Sequence, residues 1–283
     1  MELPDPQIVH QRAKKQSSDD DTDPILNLVV AGNPTPDQVS YTDTGYDGPQ
    51  AGDLGRLAVA TEVANDSVRL HYPQVDKTAS GPWLVLEPLA GYIATVHTGK
   101  AQLDITLTVE NTTNYRHLET LRERIDAVLK AAQPTHPDYP VADDTQGIFT
   151  RGMTTYSLSS ICVDGGEAII SFAVSITPAT TPSTVKEPFA GLEGVTSINF
   201  TPTVGVERSD PTDAFREAVE RAHVDVIGDS QYEWYTEPTI FSRLPSTNKI
   251  AIGMGMPDAS TFSMDTFETH VALLESCIQE VSQ

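Results

Sequence analysis

Residues 84–109 read LVLEPLAGYIATVHTGKAQLDITLTV, and the hydrophobic pattern changes half-way along. Leu84-Val85-Leu86 is an unbroken apolar run closing on Glu87-Pro88, the pattern of a strand buried on both faces. From Leu103 to Val109, Leu103, Ile105, Leu107 and Val109 alternate with Asp104, Thr106 and Thr108, the period of a strand with one wet face. Two kinds of strand joined by a short glycine-containing link predict two sheets, and so two domains.

On the amino-terminal side, Ile25, Leu26, Leu28, Val29 and Val30 predict another buried strand, ended by the turn Ala31-Gly32-Asn33-Pro34. Residues 1–23 are polar, end in Ser17-Ser18-Asp19-Asp20-Asp21-Thr22-Asp23, and are expected to form a mobile tail. On the carboxyl side, Tyr115, Leu118, Leu121, Ile125, Val128 and Leu129 recur at helical spacing until Gln133-Pro134. Strands over 155–163 and 167–176 join through Asp164-Gly165-Gly166, whose glycines supply the positive φ of a tight hairpin. A Pro/Thr-rich stretch and a strand over 195–206 complete the order strand, helix, strand, strand, weak helix, strand. That order predicts a ferredoxin-like α+β sandwich.

Beyond the sandwich the pattern changes again. Asp210 is the expected N-cap of a helix with Pro211 at its first position and Phe215, Ala218, Val219 and Ala222 on one face. Lys249–Gly253 (KIAIG) reads as a short buried strand, and Asp265 with Glu268 as an acidic capping box. Phe267, Val271, Leu274, Ile278 and Val281 then stripe a last helix. The expected organisation is a discontinuous domain, 24–99 with 207–283, carrying 100–206 as an insertion.

Composition narrows the partners. The chain has 283 residues, 40 Asp plus Glu against 18 Lys plus Arg, and a formal charge of −22, which repels nucleic acid and anionic bilayers alike. Few of the basic residues are lysines and the carboxylates are spread throughout, as in salt-adapted proteins; at molar salt, with a Debye length of about 3 Å, self-repulsion is screened. A halophilic origin is expected. No run approaches the roughly 18–20 apolar residues that cross a membrane, and MELPDPQIVHQRAKK lacks a signal-peptide core, so a soluble, cytoplasmic chain is expected. Cys162 and Cys277 are isolated and read as buried thiols, and no His-x-x-x-His pair nominates a metal site.

The layout and two segments, Leu84–Val109 and Thr236–Glu268 (TEPTIFSRLPSTNKIAIGMGMPDASTFSMDTFE), resemble the aminoacylase and acetylornithine deacetylase family of dinuclear-zinc exopeptidases, which also holds desuccinylases and carboxypeptidases. The first segment is similar to the family's passage from a Glu-Pro ligand strand through a His-x-Gly link into the lid domain. The second is similar to its strand, Gly-x-Gly loop and acidic helix start. The resemblance implies an α/β fold, a zinc-exopeptidase-like α/β/α domain with an inserted ferredoxin-like lid and dimerisation domain. It also implies two zinc ions that activate a bridging water, with a Glu as base.

Residue by residue, the resemblance places Tyr41 of Tyr41-Thr42-Asp43 where the family has its first ligand histidine, with Asp43 left from the His-x-Asp motif. Asp53 takes the bridging aspartate's place, Asp76-Lys77 the Glu-Glu pair's, and Glu87 that of the next carboxylate ligand. Thr261 stands where the last ligand histidine belongs and Asn114 where the lid histidine does. With both ligand imidazoles, the base and the lid histidine missing from these positions, the reading is of no catalytic residue, no metal, no cofactor and no enzyme. The expected role is that of a scaffold acting in assembly, as a homodimer through the lid-sheet edge or in a larger particle such as a virion. Two alternatives stand beside it. One is a reduced amidase or peptidase in which Asp43, Asp53, Asp76 and Glu87 converge on a harder ion such as manganese. The other is a module binding peptides or acyl amino acids.

Overall fold

The structure, a computed structural model, describes residues 3–17, 24–42, 44–88, 91–97, 99–109, 115–132, 154–164, 166–177, 180–232, 240, 244–254 and 260–283. It divides into two compact units, 1–95 with 208–233 and 239–283, and 96–207 with 234–238. In chain order the first unit supplies α1 (Pro6–Gln16), β1 (Leu26–Val30), β2 (Ser40–Thr42), β3 (Gly45–Asp47), α2 (Ala51–Val63), β4 (Val68–His71), β5 (Trp83–Glu87) and β6 (Ile93–Ala94). Next come β7 (Val96–His97), β8 (Gly99–Thr108), α3 (Tyr115–Ala131), β9 (Thr155–Asp164), β10 (Glu167–Ile176), α4 (Pro182–Lys186), β11 (Val195–Val204) and β12 (Glu207–Arg208). The chain then returns through α5 (Asp213–Ile227), β13 (Lys249–Gly253), β14 (Thr261–Ser263) and α6 (Met264–Val281).

The first unit is built on a sheet of order β4-β1-β5-β13-β6, parallel except for β6. Every residue of β1, β5 and β13 is buried, Asn27, Glu87 and Lys249 included, which is why these strands show no alternation of wet and dry positions. Leu26, Leu28, Leu84, Leu86, Ile250 and Ile252 share one core with Leu54 and Leu57 of α2, Val219 of α5, and Phe267 and Leu274 of α6. Each such side chain contributes about 1.5–3 kcal/mol on burial. A second, three-stranded sheet of order β14-β3-β2 adjoins α2. In the other unit the order β11-β8-β10-β9 is antiparallel throughout, the ferredoxin-like arrangement, with Leu103, Ile105, Leu107, Ile170 and Phe172 packed against Val128 and Phe189.

Four expectations are corrected. Residues 6–16 are helix α1, because Asp5 caps it, Pro6 starts it, and Val9 and Ala13 lie one turn apart on a face that α2 covers. The segment is tied further by Tyr41, whose hydroxyl donates to the Leu3 carbonyl at 2.8 Å. Helix α5 begins later than expected: Thr212 caps it, while the Asp210 amide donates instead to the Thr247 carbonyl at 2.8 Å. Helix α6 is capped by Ser263, which accepts from the Thr266 amide, so Asp265 and Glu268 form no capping box. Cys277 is buried, but Cys162 lies exposed on β9, where no element among the described residues covers it. Among the described residues no helix is long and apolar enough to cross a membrane.

Candidate functional site

In an open parallel sheet, ligands are held outside the carboxyl ends of the strands, where the loops diverge. In the first unit Asp53, in the first turn of α2, lies over the end of β1. A Cβ on Gly32 would sit 2.7 Å from its Oδ2, and Gly32 has φ +102°, so space and backbone both call for glycine there. Asp53 is ion-paired with Arg56, one turn on. Arg56 is 3% exposed and also donates from Nη1 to the Met254 carbonyl, just past β13, at 3.3 Å. The Met254 amide in turn donates to the Glu87 carbonyl at 2.7 Å, and the Glu87 side chain, closing β5, is 1% exposed.

His270 joins this group from α6. Its ring lies 6.0 Å from that of Phe262, which occupies the space a Cβ on Gly55 would need. Burial, and then the Arg56 guanidinium and His223, push its pKa from 6.5 down to about 4, so the imidazole is neutral at physiological pH. Its Nδ1 is buried and has no hydrogen-bond partner among the described residues.

A pocket of about 250 Å³ opens where β1 and β4 end, lined by His10, Lys14, Asn33, Pro36, Tyr72 and Pro73 among others. The Tyr72 hydroxyl donates to Asn33 Oδ1 at 2.9 Å and meets His10 Nδ1 at 3.1 Å, holding the wall rigid. Burial, and then Lys14, lower the His10 pKa, which leaves Lys14 as the cation at the rim.

Of the positions singled out in the sequence, Asp53 and Glu87 lie at this edge. Tyr41 and Thr261 do not end strands of the parallel sheet. Both are exposed on the small sheet, where Ser40 pairs with Asp47 and Asp47 with Thr261. Asp76 lies elsewhere again: its amide donates to His71 Nδ1 at 3.2 Å, its carboxylate accepts from Thr78, and the His71 ring stacks on Trp83, at the opposite end of β5 from Glu87. Four rises separate the two ends of that strand, about 13 Å. The convergence of four carboxylates is therefore corrected, Asp76 being held apart by its own hydrogen bonds. Lys77 is exposed beside it. Asp43 and Asn114 lie outside the described residues.

Sequence reading missed Arg56, His270 and the His10–Tyr72 pocket. Two signals were present: Asp53-x-x-Arg56 at helical spacing, and a histidine set inside the apolar stripe of α6.

The described side chains do not fit a dinuclear zinc centre. Zinc favours imidazole and thiolate, Asp53 is taken by Arg56, and among the described residues no group of three or more His, Cys, Asp or Glu could hold a metal ion.

No family model and no curated protein matches the sequence. Solved structures do. An M20 family metallo-carboxypeptidase from Sulfolobus solfataricus aligns with TM-score 0.59 at 8% identity, over 98% of this chain and 93% of that one. The fold is that of the M20 metallopeptidases. Human carnosine dipeptidase 1 aligns at 0.56 with 11% identity, over 94% of this chain and 81% of its own. A dinuclear metal-binding M20 peptidase from Bacillus subtilis aligns at 0.52 with 9% identity, over 96% and 90%. This likeness corrects the expectation of a chain that is no enzyme, because the M20 fold is an enzyme's fold, carried by peptidases. That expectation rested on the groups missing at Tyr41, Asp76-Lys77, Thr261 and Asn114 and not on the fold.

Proposed function

We propose that this chain takes a dipeptide or an N-acyl amino acid as its ligand, at the carboxyl edge of the parallel sheet. The observation that carries this is the pocket of about 250 Å³ at the ends of β1 and β4, beside an edge where Arg56 and Glu87 are buried. Its size suits a ligand of two residues, and buried ionisable groups at a strand edge are a mark of function. Lys14 would meet the ligand carboxylate, His10 a carbonyl, and Pro36 and Pro73 the apolar body. Proteins of similar fold are named for dipeptides and for carboxypeptidase action, which agrees with that ligand class. Calorimetric titration with N-acetyl amino acids and dipeptides, with product followed in the same samples, tests it. Lys14→Glu should weaken binding about tenfold, or 1.4 kcal/mol. No heat of binding at millimolar ligand would remove the reading.

For the partner we propose a second copy of this chain, joined through β9. Residues 155–163 of this exposed edge strand carry no charge in a chain of −22, so two copies can approach there. The other edge strand of that sheet, β11, contains Pro202 and two register breaks, which discourage pairing. A bulge places Tyr156, Leu158, Ile161 and Val163 on one face, opposite Val174, Phe172, Ile170 and Ala168. A two-fold axis between Ser159 and Ser160 then sets Leu158 against Ile161 of the copy and Tyr156 against Val163 of the copy. Sedimentation should give about 61 kDa, twice the 30.6 kDa chain, and Ile161→Lys should halve it. A wild-type monomer at high salt would end the proposal.

A further inference from the structure

The carboxyl edge holds an ion pair on Asp53, the residue to which the resemblance gives the bridging aspartate's place. Among the described residues Asp53 and Glu87 are carboxylates at this edge, and Glu87 is 1% exposed. The Asp53 side chain is 34% exposed, and a carboxylate drawn part-way out of water is stabilised by a positive charge beside it. Arg56 supplies one from within the chain: it is 3% exposed, ion-paired with Asp53, and bonded to the carbonyl of Met254, whose own amide is bonded to the Glu87 carbonyl. Its planar fork lets one side chain hold an acceptor on α2 and another at the end of β13, and it stays charged at any accessible pH. Asp53 is held so closely that Gly32 can carry no side chain.

We propose that the guanidinium of Arg56 takes over the charge-balancing role of the divalent ions at this edge, so that the chain holds its site together without metal. This role of Arg56 and Asp53 is one of stability and does not depend on a ligand binding in the pocket.

The test compares melting temperatures with EDTA and with millimolar manganese chloride, using magnesium as a control for ionic strength. Wild type should melt at the same temperature in all three, and metal analysis should find no stoichiometric transition ion in protein purified without chelator. Arg56→Gln removes the built-in charge and keeps most of the volume. That variant should melt several degrees lower in EDTA and recover with manganese, and Asp53→Asn added to it should abolish the recovery. Should Arg56→Gln fail to fold with EDTA, it should fold with manganese present. Arg56→Lys retains the charge and should ignore manganese. Stabilisation of wild type or of Arg56→Lys by manganese, or an Arg56→Gln variant indifferent to it, would overturn the proposal.

Discussion

Two buried histidines of the first unit have opposite surroundings. On one side of the sheet, His71 uses both ring nitrogens: Nε2 meets Asn27 Oδ1 at 2.9 Å, Nδ1 accepts from the Asp76 amide at 3.2 Å, and the ring stacks 4.5 Å from Trp83. At the edge beyond, His270 faces a guanidinium and a second histidine, its Nδ1 has no hydrogen-bond partner among the described residues, and its pKa falls to about 4. A completed network of polar groups fixes one packing; an incomplete one costs stability and is retained where a site needs it. Asp76 belongs to the completed network, and the proposed ligand site lies at the other end of the sheet's strands.

The largest effect should come from breaking the complete network. His71→Ala strips Asn27 and the Asp76 amide of a partner each and removes the ring from Trp83, at a cost of about 4 kcal/mol in urea unfolding. The proposed ligand contacts, His10, Lys14, Pro36 and Pro73, are not part of that network, so ligand affinity should be spared if the protein is assayed where it remains folded.

A smaller and oppositely directed effect comes from His270. Its folded pKa lies below the unfolded value of 6.5, so between pH 6.5 and about 4 the unfolded chain takes up a proton that the folded chain refuses. Stability is therefore complete above pH 6.5 and is lost on acidification through that window, by about 2 kcal/mol at pH 5. His270→Leu should lose less stability between pH 7 and pH 5 by that amount. Equal pH dependence in wild type and His270→Leu would erase the contrast.

The smallest effect concerns both regions equally. With a charge of −22, raising potassium chloride from low to molar concentration should stabilise the fold by on the order of 1 kcal/mol, or about 2–4 °C in Tm. A Tm that is flat in salt would remove the halophilic expectation and leave the two clusters as they are.

Much of the scaffold was legible because it is written in local periodicity. The alternation of Leu103 to Val109, the Asp164-Gly165-Gly166 hairpin and the stripe of Phe267, Val271 and Leu274 each specify an element without reference to distant residues. Helix α1 was not, since Val9 and Ala13 are too few to stand out among lysines and glutamines; the helix owes its place to α2 and to tyrosines some forty residues on. The site was legible only at Glu87, fixed at a strand end, and at Asp53, fixed in a helix start. That Tyr41 and Thr261 lie on the small sheet was not legible, because spacing along a shortened loop does not say which sheet a residue joins. Arg56 and His270 act through contacts with residues far away in sequence, Met254 and Phe262 among them, which periodicity does not encode.

The most direct test of the carboxyl-edge site is histidine side-chain NMR during titration with an N-acetyl amino acid. The imidazole signals of His10, at the pocket wall, should move in proportion to occupancy while those of His71, locked against Asn27 and Trp83, stay fixed. Movement of His71 with His10 unchanged would contradict a ligand site at this edge.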